Sequence, residues 1–348
     1  LRADQSFPED WERLKAIFRT PSLQLITFTI TEKGYALTGM DGGFTPLAEK
    51  DFAAGPQGCS SAMGKVAALL LERFNAGKYP MAVVSTDNCS RNGEKIRSSV
   101  VTMVDKWLAN GFVSQDFASW VEDESNVSFP WTMIDKITPR PAPAVEKALA
   151  DAGFEGMKVK VTSKNGYTAA FVNAEKPQYL VIEDRFPNGR PPLEKAGVFM
   201  TDRDTVNNVE RMKVMTCLNP LHTALAVYGC VLGYDSIAAE LQDPELKGLI
   251  EKIGYVEGMP VVTDPGIIKP MDFIHEVIDQ RFPNPFMPDT PQRIASDTSQ
   301  KINIRFGETI KAYAERPGLD PKTLTFIPLA IAGWLRYLLA VDDEGKPF

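Results

Sequence analysis

Between Glu210 and His222 the sequence reads ERMKVMTCLNPLH, which sets a lysine, an asparagine and a histidine within ten residues. Side chains of these types carry protons and hold polar ligands. Taken alone, the cluster is also matched by a solvated lysine, a helix-terminal Asn-Pro and a core histidine. The other histidine, His275, is distant in sequence and lies on the helical face of DFIHEVIDQRF, where packing or exposure accounts for it. Four cysteines, Cys59, Cys89, Cys217 and Cys230, form no CxxC pair, and no His-x-x-x-His spacing occurs. A protein-bound metal therefore has little material to be built from, and none is expected.

The elements that must carry these residues are of two kinds. In the first part, strand-like and helix-like segments alternate, as in a parallel α/β sheet with crossover helices. LQLITFTIT is a strand suited to burial on both faces, SSAMGKVAALLLERFNAG a helix, and MAVVSTDN a buried strand ending in polar residues. Residues 93–110 are periodic at 3.6 residues, with Asn92 placed to cap them. VSFPWTMIDKITP, KVKVTS and QYLVIED read as further strands. After Gly197 every long segment is helical. The division predicts an α/β domain over residues 1–197 and an all-α domain over 198–348, packed directly with a cleft between them.

The 348 residues, 44% hydrophobic and 24% charged, exclude a disordered chain, a collagen and a coiled-coil rod. A net charge of −7 argues against a sequence-independent grip on nucleic acid or anionic lipid, so neither is an expected partner. Sparse, scattered cysteines fit a reducing cytoplasm. The most apolar stretch, near the C-terminus, is interrupted by Arg336, and no membrane span is expected. The chain starts at Leu1 rather than Met, as a segment from within a longer gene product would.

Six segments occur in order: TITEKGY, STDNCSRNG, FPWTMIDKITPRP, VIEDRFPNGRPPLEKAG, the Lys-Asn-His stretch and RFPNP. Together they resemble the polyol-specific long-chain dehydrogenases and reductases, the family of mannitol dehydrogenase, fructuronate reductase and tagaturonate reductase, over nearly the whole chain. The resemblance implies a Rossmann-like N-terminal domain, a helical C-terminal one, and metal-free, nicotinamide-dependent hydride transfer between a secondary alcohol and a ketone. It implies that Lys213 is the proton donor and acceptor, which requires its pKa to fall from ~10.4 towards ~7–8. It makes Asn219 and His222 the groups that hold the reacting oxygen. Ile134, Asp135 and Arg281 become substrate contacts, Arg281 as a fixed cation, against the alternative of a surface arginine at a helix end. Asn88 and Asn92 bind substrate hydroxyls, or form an Asx turn and a helix cap. Thr86, Asp87 and Asn88 lie where they would touch the cofactor, NAD, with NADP not excluded.

Two departures follow. Family members place the asparagine five residues after the lysine, whereas here the gap is six. At about 100° per residue, an ideal helix would turn His222 roughly 180° from Lys213. Either a π-type widening within 214–218 or a helix start after Lys213 is expected. The family's opening strand and glycine-rich turn are also missing. No G-x-G-x-x-G occurs, and Gly39, Gly42 and Gly43 have the wrong spacing, so the first β-α units are expected to be absent from this chain.

The KVMTCLNPLHTALA wording and the basic EDRFPNGR segment lean towards a uronate reductase, acting on D-fructuronate and D-mannonate. Tagaturonate reduction and mannitol oxidation are alternatives. A rival of another class is a catalytically silent binding or assembly subunit. The expected assembly is a monomer or small homo-oligomer.

Overall fold

The chain opens with α1 (Pro8–Phe18) and β1 (Leu25–Phe28). Next, α2 (Pro46–Ala54) and α3 (Ala62–Gly77) lead to β2 (Met81–Ser85), and α4 (Asn92–Ala109) and α5 (Gln115–Glu122) to β3 (Val127–Ser128). This computed structural model describes every residue except Met40, Ile137, Pro139, Lys164, Pro288 and Phe348; the TGMDGGF and FPWTMIDKITPRP segments thus lie partly outside the described residues. β2 is buried along its whole length and is the middle of a parallel sheet ordered β1-β2-β3, with Leu25 opposite Ala82 and Met81 opposite Val127. Parallel neighbours need crossovers, and α3 and α4 supply them, burying Met63, Leu70, Ile96, Met103 and Trp107 in one core. Thr45 and Ser61 accept backbone N–H groups at the starts of α2 and α3.

Arg73 holds this sheet's lower edge. It is fully buried, has no acidic partner among the described residues, and donates to five backbone carbonyls, those of Phe18, Thr20, Leu23, Tyr79 and Pro80, at 2.7–2.9 Å. One guanidinium thus fastens the end of α1 and the approaches to β1 and β2.

β4 (Thr132–Asp135) is followed by α6 (Pro143–Asp151), the antiparallel pair β5 (Lys160–Val161) and β6 (Tyr167–Thr168), then β7 (Tyr179–Glu183) and β8 (Phe199–Thr201). The second sheet is ordered β4-β7-β8, with β7 and β8 parallel. The helices that follow are α7 (Arg203–Met212), α8 (Asn219–Leu232), α9 (Ile237–Glu240), α10 (Pro244–Glu251), α11 (Pro270–Glu276), α12 (Pro291–Ala295), α13 (Glu308–Glu315) and α14 (Phe326–Tyr337). Four stretches among the described residues are π-helical: Lys213–Cys217, Lys252–Gly258, Val277–Arg281 and Asn303–Gly307.

An α/β first part and a helical second part are thus observed. The chain divides into two compact units, Leu1–Ile134 with Tyr179–Asn207, and Asp135–Gln178 with Asn208–Phe348. α8 is buried on nearly every side and is the central helix of the second unit. The helical run Arg203–Leu232 is long and apolar enough to cross a bilayer, yet 72% of its most apolar window is buried inside the protein, as in a core helix. Helices α1, α5 and α6 are short amphipathic elements that the sequence reading did not pick out.

Candidate active site

The route from Lys213 to His222 is not a regular helix. Lys213–Cys217 is a π turn, closed by the Leu218 N–H donating to the Lys213 carbonyl at 3.1 Å. Leu218, at φ −132° and ψ −62°, breaks the run, and Pro220 in the first turn of α8 restarts it. The π turn absorbs one residue of the helical count, which in ideal helix geometry corresponds to about 80° between Lys213 and His222 instead of roughly 180°. The widening required by the six-residue gap is therefore present.

Lys213 is 2% exposed. Burial, the largest influence, lowers the amine's pKa from the usual lysine value; Asp135, Glu210 and Glu175 pull it up, Arg281 pushes it down, and the net direction is down. A lysine so placed gives up its proton more readily than an exposed one.

Arg281 ends a second π turn, in which the Phe282 N–H reaches the Val277 carbonyl at 3.0 Å. Its guanidinium is clamped by two carboxylates. Asp135 takes Nη1 and Nη2 at 2.6 and 3.0 Å, and Glu175 takes Nε and Nη2 at 3.0 and 2.9 Å. All three side chains are almost wholly buried. Arg281 and Asp135, expected as substrate contacts, are brought together here: four of the five guanidinium N–H groups, and both Asp135 oxygens, are engaged within the protein.

Asn219 is the first residue of α8, half-buried, and its carboxamide has no hydrogen-bond partner among the described residues. One turn on, His222 stacks on Phe282 with ring centroids 5.2 Å apart. Its Nε2 lies 2.8 Å from Asp289 Oδ2. Burial, then the charges of Arg305, Arg293 and Arg281, push the imidazole down to about 3. The nearby Asp289 favours protonation, but it is itself paired with Arg293 and does not outweigh them. The ring is neutral, Nε2–H donates to Asp289, and Nδ1 keeps a lone pair. His222 thus presents an acceptor, where the sequence reading had it holding the reacting oxygen.

The remaining expected residues belong to the first unit: Thr86, Asp87 and Asn88 follow β2, Asn92 opens α4 and Ile134 lies in β4. Thr86 bonds Thr29 Oγ1 at 2.6 Å. Asp87 accepts the Ile30 and Thr31 N–H groups at 2.8 and 2.9 Å and the Tyr35 hydroxyl, so its carboxylate shapes the 29–35 loop from within. Asn88 is exposed and Ile134 half-buried. Asn92 is not a cap; Arg91, left-handed at φ 52°, precedes the helix, and Asn92 is buried inside it. Its amide donates to Asp87 O, Thr132 O and Thr132 Oγ1, and accepts from Gly93 N and Thr132 N. No capacity remains for a substrate hydroxyl, which corrects that expectation.

Two site residues had no signal in the sequence. Glu175 lies in an irregular segment, and Asp289 in an unremarkable Pro-Asp-Thr-Pro loop. With His222, Arg281, Phe282 and Asn284 they line a cavity of about 30 Å³ within the second unit.

Tested against a dinucleotide, the first unit offers parallel strands with polar ends but no glycine turn for a pyrophosphate. The helix that starts at such an end, α4, is closed at its start: Asn92 is engaged, and a Cβ on Gly93 would lie 2.4 Å from Phe129 O. The described residues do not form a pyrophosphate cradle. Among the described residues no three His, Cys, Asp or Glu side chains converge on a metal position.

Residues 8–195 match the family model described as the mannitol dehydrogenase Rossmann domain, and 205–348 the mannitol dehydrogenase C-terminal domain. D-mannonate oxidoreductase of Thermotoga maritima is 58% identical over 99% of this chain and 64% of its own length. Polyol:NADP oxidoreductase of Gluconobacter oxydans is 31% identical over 98% and 65%. A crystal structure of D-sorbitol dehydrogenase in substrate-free form superposes at a TM-score of 0.81, 29% identity, over 98% of this chain and 65% of that one. Pseudomonas fluorescens mannitol 2-dehydrogenase, in a ternary complex with NAD and D-mannitol, gives 0.72 at 29%, over 98% and 64%. The chain spans just under two thirds of the length of these relatives.

Proposed function

Because the chain belongs to the mannitol dehydrogenase family, we propose that it interconverts D-fructuronate and D-mannonate, with NAD(H) as hydride carrier and Lys213 as proton donor and acceptor. The observation that carries this reading is the buried Lys213 at the start of a π turn, with its pKa lowered. The nicotinamide, were it bound, would supply hydride chemistry; the proton is the part that falls to this chain's own residues. In reduction, the Lys213 ammonium gives a proton to the carbonyl oxygen as that oxygen gains charge; in oxidation, the amine removes the hydroxyl proton. The Asn219 amide donates to the same oxygen, and His222 Nδ1 accepts from a neighbouring hydroxyl. Arg281, charged throughout, is the only group of the cluster able to take a carboxylate in bidentate fashion.

The 58% identity to a D-mannonate oxidoreductase supports a sugar acid over a neutral polyol. A cytoplasmic site of action belongs to the same proposal, supported by Cys59, Cys217 and Cys230, three buried cysteines outside any disulfide. Against a silent subunit stands the stability penalty of burying an amine beside three carboxylates, a penalty retained where chemistry requires it. The test is turnover of the full-length protein with NADH or NADPH on D-fructuronate, D-tagaturonate and D-fructose. D-fructuronate should be the best substrate; faster turnover of D-fructose would move the assignment to a polyol dehydrogenase.

A further inference from the structure

Glu175 is a lone buried residue in an exposed, irregular segment, residues 169–178, between β6 and β7; its neighbours Ala174 and Lys176 face solvent. Only its side chain turns inward, where it closes a bidentate pair with Arg281 at 2.9 and 3.0 Å. The cavity that Glu175 lines with Arg281 and His222 has the volume of roughly one water, far below that of a six-carbon sugar acid. Something must therefore leave before a ligand reaches Arg281. Arg281 and His222 are set in helices; of the two carboxylates on Arg281, Asp135 ends a strand and Glu175 lies on backbone outside any helix or strand.

We propose that Glu175 is a specificity-determining residue, an internal carboxylate that occupies the face of Arg281 and yields it to the carboxylate of a sugar acid. This rests on the reaction proposed above. Exchange of one carboxylate for another keeps the buried charges balanced, so Arg281 and Lys213 retain the same electrostatic surroundings. A neutral polyol cannot make the exchange. Expelling Glu175 for hydroxyls would leave a buried guanidinium half-satisfied, so the glutamate stays and the cavity stays closed.

The test is calorimetric titration of the full-length protein, wild type, E175Q and E175D, with D-mannonate and with D-mannitol. Removing the internal competitor should tighten D-mannonate by about tenfold in E175Q and leave D-mannitol within about twofold, because only the acid competes with Glu175 for the guanidinium. E175D, still a carboxylate but shorter, should lie between, and it serves if the glutamine variant does not fold. Equal affinity of wild type and both variants for D-mannonate, or a parallel change for acid and polyol, would overturn the role of Glu175 while leaving the proposed reaction intact. Binding of D-mannitol with no binding of D-mannonate by any of the three proteins would overturn the sugar-acid reading itself.

Discussion

Lys213 and Leu218 are joined across five residues by a 3.1 Å backbone hydrogen bond, and this bond lets one residue drop out of the helical count. The side chain of the extra turn is not idle: Thr216 is buried, and its methyl group would sit 2.9 Å from a Cβ on Gly258. Deleting Thr216 should convert the π turn to α-helix and keep Lys213 and His222 on one face. Turnover is then expected to stay within about tenfold of wild type, while thermal unfolding shows a loss of about 1–3 kcal/mol from disturbed packing. A hundredfold fall in turnover by a folded deletion variant would mean that the π turn shapes the site beyond its register.

Lys213→Ala should lower kcat by about 10²–10⁴-fold with little change in substrate affinity, since a lost proton donor is felt mainly in the transition state. The ionisation that governs the alkaline or acid limb of the pH profile should vanish with it. Steady-state kinetics across pH 5–10 provide the check, and a variant with near-normal kcat would remove Lys213 from the mechanism.

His222 should make stability pH-dependent. The folded state holds the ring neutral down to about 3, whereas the unfolded ring protonates near 6.5. Between those values the unfolded state binds more protons, so stability is complete above 6.5 and falls as pH drops, with a slope approaching about 1.4 kcal/mol per pH unit. Urea unfolding at pH 7, 6 and 5 should show His222→Gln losing less over this range than wild type. Parallel losses would mean that Asp289 keeps the ring protonated.

Glu240 should act in the opposite sense. It is wholly buried, neither carboxyl oxygen has a hydrogen-bond partner among the described residues, and burial raises its pKa to about 9. The folded state keeps a proton that the unfolded state releases near 4.5, so stability is full below that pH and declines as pH rises towards 9. Glu240→Gln should therefore melt above wild type at pH 8, with the gap shrinking towards pH 5. A gap that does not change with pH would show that the carboxyl is already paired.

Asn92→Ala should act on folding. Removing an amide that bonds both backbone and hydroxyl groups of Thr132 leaves buried polar atoms unsatisfied, a loss of about 2–4 kcal/mol. Substrate affinity of the folded fraction should be unchanged; a selective rise in KM without loss of stability would restore Asn92 as a ligand.

The sequence disclosed what depends on pattern and concealed what depends on contact. Buried strands such as Met81–Ser85 and the helical second half are written in periodicity, and the π turn in the arithmetic between Lys213 and Asn219. Asn92 was ambiguous because a capping asparagine and a buried clamp occupy the same place beside a helix start. Glu175 was invisible: an acidic residue among exposed neighbours looks solvated until the chain brings Arg281, 106 positions away, to meet it. The direction of His222 was hidden for the same reason, since Asp289 decides which ring nitrogen is left over.

The π turn also bears on how relatives are compared position by position. A helix that stores an additional residue as a local bulge can differ in length from its homologues without moving either end, so a count that is off by one in Lys213–Cys217 is a silent insertion, not a broken motif. An alignment that refuses a gap there would hand the lysine's assignment to Val214, and every annotation transferred upstream of it would slip by one. The three-dimensional equivalence is kept only when the gap is opened inside the helix, where alignment scoring penalises it most.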